Sequence, residues 1–362
     1  MKKRILVGVT AGTLLLTGCA SMLEREFSSI VPHNAAPVTE GDPSTLRADS
    51  YQELVNALLY FVTQGSDRGT IRLYTDWEDA DDQMQDACTE LLEEAPLGAY
   101  AVEDISFTIR PLVTYSEALV ELDYRRSRDQ IAAIIPATGS SAIRSELKKV
   151  LSRFDTDCVL KIGFYDRDEA YLRALLRQAY FDNPDSALDF PAVLVTLYPD
   201  HGRQRIAELE LTYHLPEEEL VHRKAQLSQM LEQLGRAVPF AADRIYITNA
   251  SRVMLAAVEY DPTGSSDPWG ALTERKADSM GMALAFAALC KQLHIPCQVA
   301  EGSANDQVHF WNVVSTNQGW RHLDLTLDGS QLLLDEELME LGYSWPLPSL
   351  PKCILPPDLL PG

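Results

Sequence analysis

Basic residues are scarce in this sequence. Its 362 residues hold 31 Lys and Arg against 53 Asp and Glu, a formal charge of −22 at neutral pH. Phosphate backbones are bound by clustered cations, so nucleic acid is excluded as a partner. The acidity is read as a means of solubility. Cysteine is scarce too, with six in the chain. None falls in a CxxC pair or at metal-ligand spacing, so neither a zinc site nor a redox motif is indicated. No metal and no cofactor is expected. One acidic run, Asp76, Glu78, Asp79, Asp81, Asp82 and Asp86, lacks the central Gly of a calcium loop. It reads instead as acids ahead of a helix, where they favour the positive N-terminal end. After Leu16 no apolar stretch is long enough to cross a bilayer, which takes ~20 residues.

The N-terminus has the marks of a targeting segment. Lys2, Lys3 and Arg4 precede a short apolar core, Ile5 to Leu16, which runs into Leu16-Thr17-Gly18-Cys19. That ending resembles a bacterial lipoprotein signal, in which Cys19 becomes the lipidated first residue of the mature chain. The resemblance implies a signal peptide over 1–18 and a body anchored to the cell membrane through Cys19, facing outside the cytoplasm. Residues 19–46 are rich in Ala, Pro, Ser and Thr and read as a spacer. Of the remaining cysteines, Cys290 and Cys297 could pair as a disulfide or sit as two core thiols.

Residues 47–215 repeat themselves. A helix near 51–63, a strand near 69–75, a helix near 81–95 and two strands near 104–112 and 117–125 are followed by the same order of elements. Ala118, Glu121, Leu122 and Tyr124 align with Ala207, Glu210, Leu211 and Tyr213 at a spacing of 89 residues. Strands show period-two alternation and helices i, i+3, i+4 apolar spacing. The expectation is an α+β fold with a duplicated helix-strand-helix-strand-strand module. No nucleophile–base pairing is found in it. Next comes a helix over about 216–236, opened by Pro216 and three acids and closed by Gly235. Ile245 to Thr248 reads as a short strand, Asn249 as the cap of a helix, and Asp261-Pro262-Thr263-Gly264 as a turn. Residues 346–362 form a proline-rich tail expected to run extended over the surface.

The chemistry gathers between Thr273 and Leu327. Ser279 opens an apolar, alanine-rich helix that ends at His294-Ile295-Pro296. Asp278 or Ser279 suits the N-cap, and a nucleophile placed there gains from the helix dipole and free N–H groups. Gln307–Val314 and Gly319–Leu327 alternate as a hairpin around Ser315-Thr316-Asn317-Gln318. Pairing Val314 with Gly319 sets His309 opposite Asp324, with Cβ atoms ~5 Å apart on one face. An imidazole beside a carboxylate is the orienting pair of a general base. Cys290 could not replace Ser279, because it lies ~16 Å along the helix.

Four linked motifs resemble the transglutaminase-like superfamily, whose fold is related to papain-type cysteine proteases. They are Ser279-Met280-Gly281-Met282-Ala283, Leu293-His294-Ile295-Pro296, His309-Phe310-Trp311-Asn312 and His322-Leu323-Asp324. The resemblance implies a papain-like domain over 216–345, with His309 as base, Asp324 as its orienter and Trp311 lining the site. Met280 and Met282 stand where side chains could fill the cleft. The family's nucleophilic Cys is Ser279 here. A thiol in such a setting ionises near neutral pH, whereas a serine needs full general-base assistance and an aligned oxyanion hole. The expectation is a surface module that binds a peptide, a protein or a cell-wall ligand without turnover. The alternative is an acyl transferase or amidase using a Ser279-His309-Asp324 triad.

Overall fold

The computed structural model describes residues 37–39, 42–74, 79–327, 331–346 and 350–355. Cys19, the signal segment, much of the spacer, Asp76 and Glu78, and tail residues 347–349 and 356–362 lie outside the described residues. Among the described residues no helix is long and apolar enough to cross a membrane.

The first unit comprises β1 (Val38–Thr39), β2 (Thr45–Ala48), α1 (Tyr51–Gln64), β3 (Arg68–Leu73), α2 (Ala80–Glu93), α3 (Pro96–Ala101), β4 (Val102–Pro111) and β5 (Ser116–Tyr124). Its strands lie in the order β1-β2-β3-β5-β4. Ser50 caps α1 by accepting from Glu53 N, and Gly65 closes the helix at φ +61. Between these caps Leu54, Leu58, Phe61 and Val62 bury one stripe against the sheet.

The second unit comprises α4 (Arg128–Ala132), β6 (Ile135–Ala137), α5 (Ser140–Arg153), β7 (Asp157–Ile162), α6 (Glu169–Phe181), β8 (Ala192–Tyr198) and β9 (Arg205–Thr212). The strand order is β6-β7-β9-β8, the same as β2-β3-β5-β4. Helices α1 and α5 and strands β3 and β7 start 89 positions apart. Pairing follows suit: Arg68 faces Glu121 and Asp157 faces Glu210. Even the left-handed residue that ends α1 recurs, with Phe154 at φ +61 where the first unit has Gly65. The parallel strands β2 and β6 were not expected, being only 4 and 3 residues long.

Each unit packs against the next. Helix α3 of the first lies on β8 and β9 of the second, where Tyr100 meets Tyr198 edge to face and Arg126 reaches Glu208 at 2.6 Å. Helix α6 of the second then packs on the C-terminal part of the chain. Phe181 sits 5.8 Å from Phe310, and Arg177 holds Glu301 through two bonds of 2.7 and 2.8 Å.

That C-terminal part comprises α7 (Glu217–Ala237), α8 (Asp243–Ala257), β10 (Glu259–Ser265), α9 (Pro268–Glu274), β11 (Lys276–Ala277), α10 (Ser279–Gln292), β12 (Cys297–Ala304), β13 (Gln307–Thr316), β14 (Gly319–Leu323), β15 (Leu332–Leu333), α11 (Asp335–Glu340) and β16 (Tyr343–Ser344). A five-stranded sheet in the order β15-β14-β13-β12-β16 backs the buried helix α10. Two expectations are corrected here. Ile245 to Thr248 is not a strand but lies within α8, so Asn249 is inside that helix rather than at its cap. The β-branched pair Ile245 and Ile247 suits a strand, but only Ile247 is buried, which is helical rather than alternating use. The expected turn at 261–264 is a bulge in β10: Tyr260 and Ser265 both pair with Ala277, and Asp261 Oδ1 accepts from Thr263 N at 3.0 Å.

Among the described cysteines all five are free. Cys290 is fully buried, and its thiol is pushed well above the ordinary value by burial and by a hydrogen bond with Cys297.

Candidate functional site

Helix α10 begins at the nucleophile position because of Asp278. Its carboxylate accepts from Gly281 N at 2.8 Å, and its own N–H reaches Ser265 O at 3.1 Å. Asp278 is therefore the cap, and Ser279 is the first helical residue, half-buried. Among the described residues, none is hydrogen-bonded to the Ser279 hydroxyl, His309 included.

His309 stands near the start of β13, with its side chain 12% exposed. Its Nε2 lies 2.6 Å from Asp324 Oδ2 and 3.3 Å from Thr326 Oγ1. A carboxylate can only accept, so Nε2 carries the proton and Nδ1 holds the lone pair. That is the tautomer of a general base. Asp324 is 2% exposed. Burial alone would push its carboxyl up, but hydrogen bonds from His309, Tyr343 and Thr326 N hold it below the ordinary carboxylate value. Tyr343 OH donates at 2.6 Å and Thr326 N at 2.8 Å. The pairing of His309 with Asp324 is as expected, but the register behind it is not. Thr316 pairs with Gly319 and Val314 with Arg321, so the turn is tighter and the ladder is shifted by two residues. A two-residue shift keeps each side chain on its face, and Asp324 reaches back from just past the end of β14.

Trp311 does not line an open cleft. It is 1% exposed and lies beneath His309, ring planes 19° apart and centres 6.3 Å apart. Its Nε1 donates to His322 Nδ1 at 2.9 Å, and His322 Nε2 meets Asp335 Oδ1 at 2.9 Å. Asp335 Oδ1 also accepts from Cys353 N at 3.1 Å. The order of supports is thus Asp335, His322, Trp311, His309. Met282 is likewise corrected: it is buried in the core under α7 and α8. Met280 is half-buried against the core of the second unit. Sequence reasoning missed Tyr343, Thr326 and Asp335, which come from segments with no motif of their own. Tyr260, exposed on β10, was missed too; burial first, and then the Asp324 carboxylate, push its hydroxyl above the ordinary value.

The atoms of His322, Asp335 and Cys353 lie within 4.8 Å of one another, close enough to suggest a metal. The donor chemistry argues otherwise. Trp311 donates to Nδ1, so Nε2 must hold the ring proton and has no lone pair to offer. Burial pushes the Cys353 thiol up to about 12, away from the thiolate a metal needs.

Burial also pushes His322 below the ordinary histidine value, although Asp335 opposes this. Such a group favours the folded state above its unfolded value, about 6.5, and that contribution is lost as pH falls towards the folded value. Denaturant unfolding should therefore show stability declining from about pH 6.5 downward. In His322→Gln, which keeps an acceptor for Trp311, that part of the slope should vanish. An identical slope in both proteins would show that His322 is not the titrating group.

Residues 232–325 match the family model of the transglutaminase-like superfamily. This is a transglutaminase-like domain. Among solved structures, the chain is similar to a TGase crystal structure at 13% identity, with 66% of this chain and 71% of that one covered and a TM-score of 0.27. It is similar also to a protein assigned as a cysteine protease from Cytophaga hutchinsonii, at 13% identity, 40% and 64% coverage and a TM-score of 0.27. A third, assigned as a protease from Parabacteroides distasonis, gives 7% identity, 74% and 44% coverage and a TM-score of 0.23. The chain spans less than two thirds of the length of the latter two. No curated protein matches it. The transglutaminase-like domain accounts for α8 to β14 and hence for Ser279, His309 and Asp324.

Proposed function

We propose that the chain is a lipoprotein tethered to the cell membrane through Cys19, and that its transglutaminase-like domain binds a peptide, protein or cell-wall ligand without turning it over. We also propose that residues 47–215 arose by internal duplication, which the constant spacing of 89 between Arg68–Glu121 and Asp157–Glu210 supports. The observation that carries the non-catalytic reading is the missing hydrogen bond between Ser279 and its base among the described residues. A serine must give its proton to the imidazole as it attacks, and no hydrogen bond links Ser279 to His309.

One observation favours the alternative, an acyl transferase or amidase. The dyad of His309 and Asp324 is intact and supported by Tyr343, Thr326 and Trp311, the last held in turn by His322. A fluorophosphonate probe separates the two readings. The unmodified chain is expected to give no more adduct than Ser279→Ala. Labelling that disappears in Ser279→Ala would establish the triad and end the binding-module reading.

A further inference from the structure

The hairpin joining β4 to β5 ends on residues that its turn does not require. Leu112 N donates to Tyr115 O at 2.8 Å, which closes the chain over Val113 and Thr114. Tight hairpin turns favour Asn, Asp and Gly. Here Leu112 is half-exposed and Val113 fully exposed. The second unit provides a control with the same topology. Its β8–β9 hairpin, 89 positions on, turns through Asp200, His201, Gly202, Arg203 and Gln204, with Gly202 at φ +82. The fold is thus compatible with an ordinary polar turn, and the first unit has an apolar point instead.

Under that point the rings of Tyr74 and Tyr115 lie 5.1 Å apart. The Arg47 guanidinium is 4.4 Å from the centre of the Tyr74 ring and that of Arg72 is 5.4 Å from the Tyr115 ring. An apolar point, then tyrosines, then arginines is the layering of side chains at a bilayer surface. Apolar groups enter the acyl boundary, tyrosine stays at headgroup level, and arginine reaches past it. Asp49 and Glu117 pair with these arginines at 2.9 and 3.4 Å. Contact would therefore be driven by apolar burial rather than by charge.

A second observation fixes which way the point faces. Val38 on β1 pairs with Arg47, Ala48 at the end of β2 pairs with Leu73, and Leu73 pairs with Ser116. The chain therefore enters the described structure at the end of the sheet that carries the hairpin point. Three strand spacings separate β1 from β5, about 15 Å in all.

We propose that Leu112 and Val113 form a wedge that enters the lipid surface beside the tether and orients the first unit against the membrane. Such a wedge rests on the lipid proposed for Cys19. The 18 residue steps between Cys19 and Pro37 reach at most ~60 Å, which spans the ~15 Å between β1 and the hairpin point.

The test uses the full chain in vesicles of phosphatidylethanolamine and phosphatidylglycerol with brominated acyl chains. An environment-sensitive thiol dye is placed at Val113→Cys or, as control, at Arg203→Cys in the matching hairpin. Cys88, Cys158, Cys290 and Cys353 are buried and Cys297 is half-buried, so the added thiol takes the dye. The dye at 113 is expected to shift to the blue and to be quenched several-fold more than at 203, at low and high salt alike. Equal quenching at the two positions overturns the wedge. The mass of the Cys19 peptide reads the tether separately. If Cys19 proves unmodified, the tether reading fails, and flotation of the chain with plain vesicles is compared with that of Leu112→Ser/Val113→Ser. Flotation lost in the double variant still supports a wedge; equal flotation, or none in either, overturns it.

Discussion

A Ser279→Cys variant is expected to carry the most reactive thiol of the protein by a wide margin. The buried cysteines set the baseline: burial pushes Cys88, Cys158 and Cys353 up to about 12. At neutral pH such thiols are almost wholly protonated. A thiol in the first turn of α10, the helix that packs on the His309 strand β13, gains from the helix dipole and from an imidazole that can take its proton. Alkylation should be about 10³-fold faster than at the buried positions, and its pH midpoint should lie below the ordinary ~8.5. Adding His309→Ala should return the midpoint towards that value. Such a pattern would mean that the cleft keeps its general base and has lost only the sulfur. A midpoint at or above the ordinary value, indifferent to His309→Ala, would show that the cleft has changed beyond the nucleophile and that Asp278 dominates it. Amide hydrolysis or transfer gained by the Cys variant alone would identify a former thiol enzyme.

Gly281→Ala is expected to unfold the transglutaminase-like domain at markedly lower temperature, against the usual sign. Replacing a glycine inside a helix by alanine ordinarily gains ~1 kcal/mol. At Gly281 the new Cβ would lie 2.1 Å from Ser265 O and 3.0 Å from Ala277 Cβ. Ser265 O is the carbonyl that accepts from Asp278 N and so fixes the start of α10. It is backbone and cannot rotate away, so β10 and the helix must separate. A loss of about 3 kcal/mol follows from overpacking of this kind, and for a domain of this size the transition should fall by about 10 °C. Gly235→Ala in α7 is the matched control. Its Cβ would meet only side-chain atoms, the nearer being Gln292 Cγ at 3.4 Å, and stability should be unchanged or slightly raised. If both variants melt alike, close packing of α10 on β10 is not what position 281 serves.

Much of this was legible in the residues. Apolar periodicity gave α1, α2 and α6 to within two residues, because each buries one stripe on a sheet, but the first turn of α5 and the short helices α3 and α4 were not expected. The 89-residue spacing showed in four identities before it showed in strand pairing. The dyad was legible for a reason that tolerates error. A ladder shifted by two keeps faces unchanged, so His309 and Asp324 met despite the wrong register. What could not be read depends on distant segments. Trp311 has the same residue type whether it lines a cleft or supports a histidine, and only the buried His322 and its partner Asp335 decide between them. Tyr343 lies in a two-residue strand with no periodicity to find. Ile245 to Thr248 has strand composition, but burial of a single helical stripe overrode that preference.

The supports of His309 also impose an order on its assembly. Tyr343, which steadies Asp324, and Cys353, whose backbone N–H reaches Asp335, follow every other residue of the site in the chain. A polypeptide emerging from its N-terminus would deliver Ser279, His309, Trp311, His322 and Asp324 first, and Asp335, Tyr343 and Cys353 afterwards. During that interval Asp324 lacks the hydrogen bond from Tyr343, and His322 lacks Asp335. The dyad therefore gains its last two supports only after the segment beyond α11 has folded back, which ties the final shape of the site to the C-terminal part of the chain.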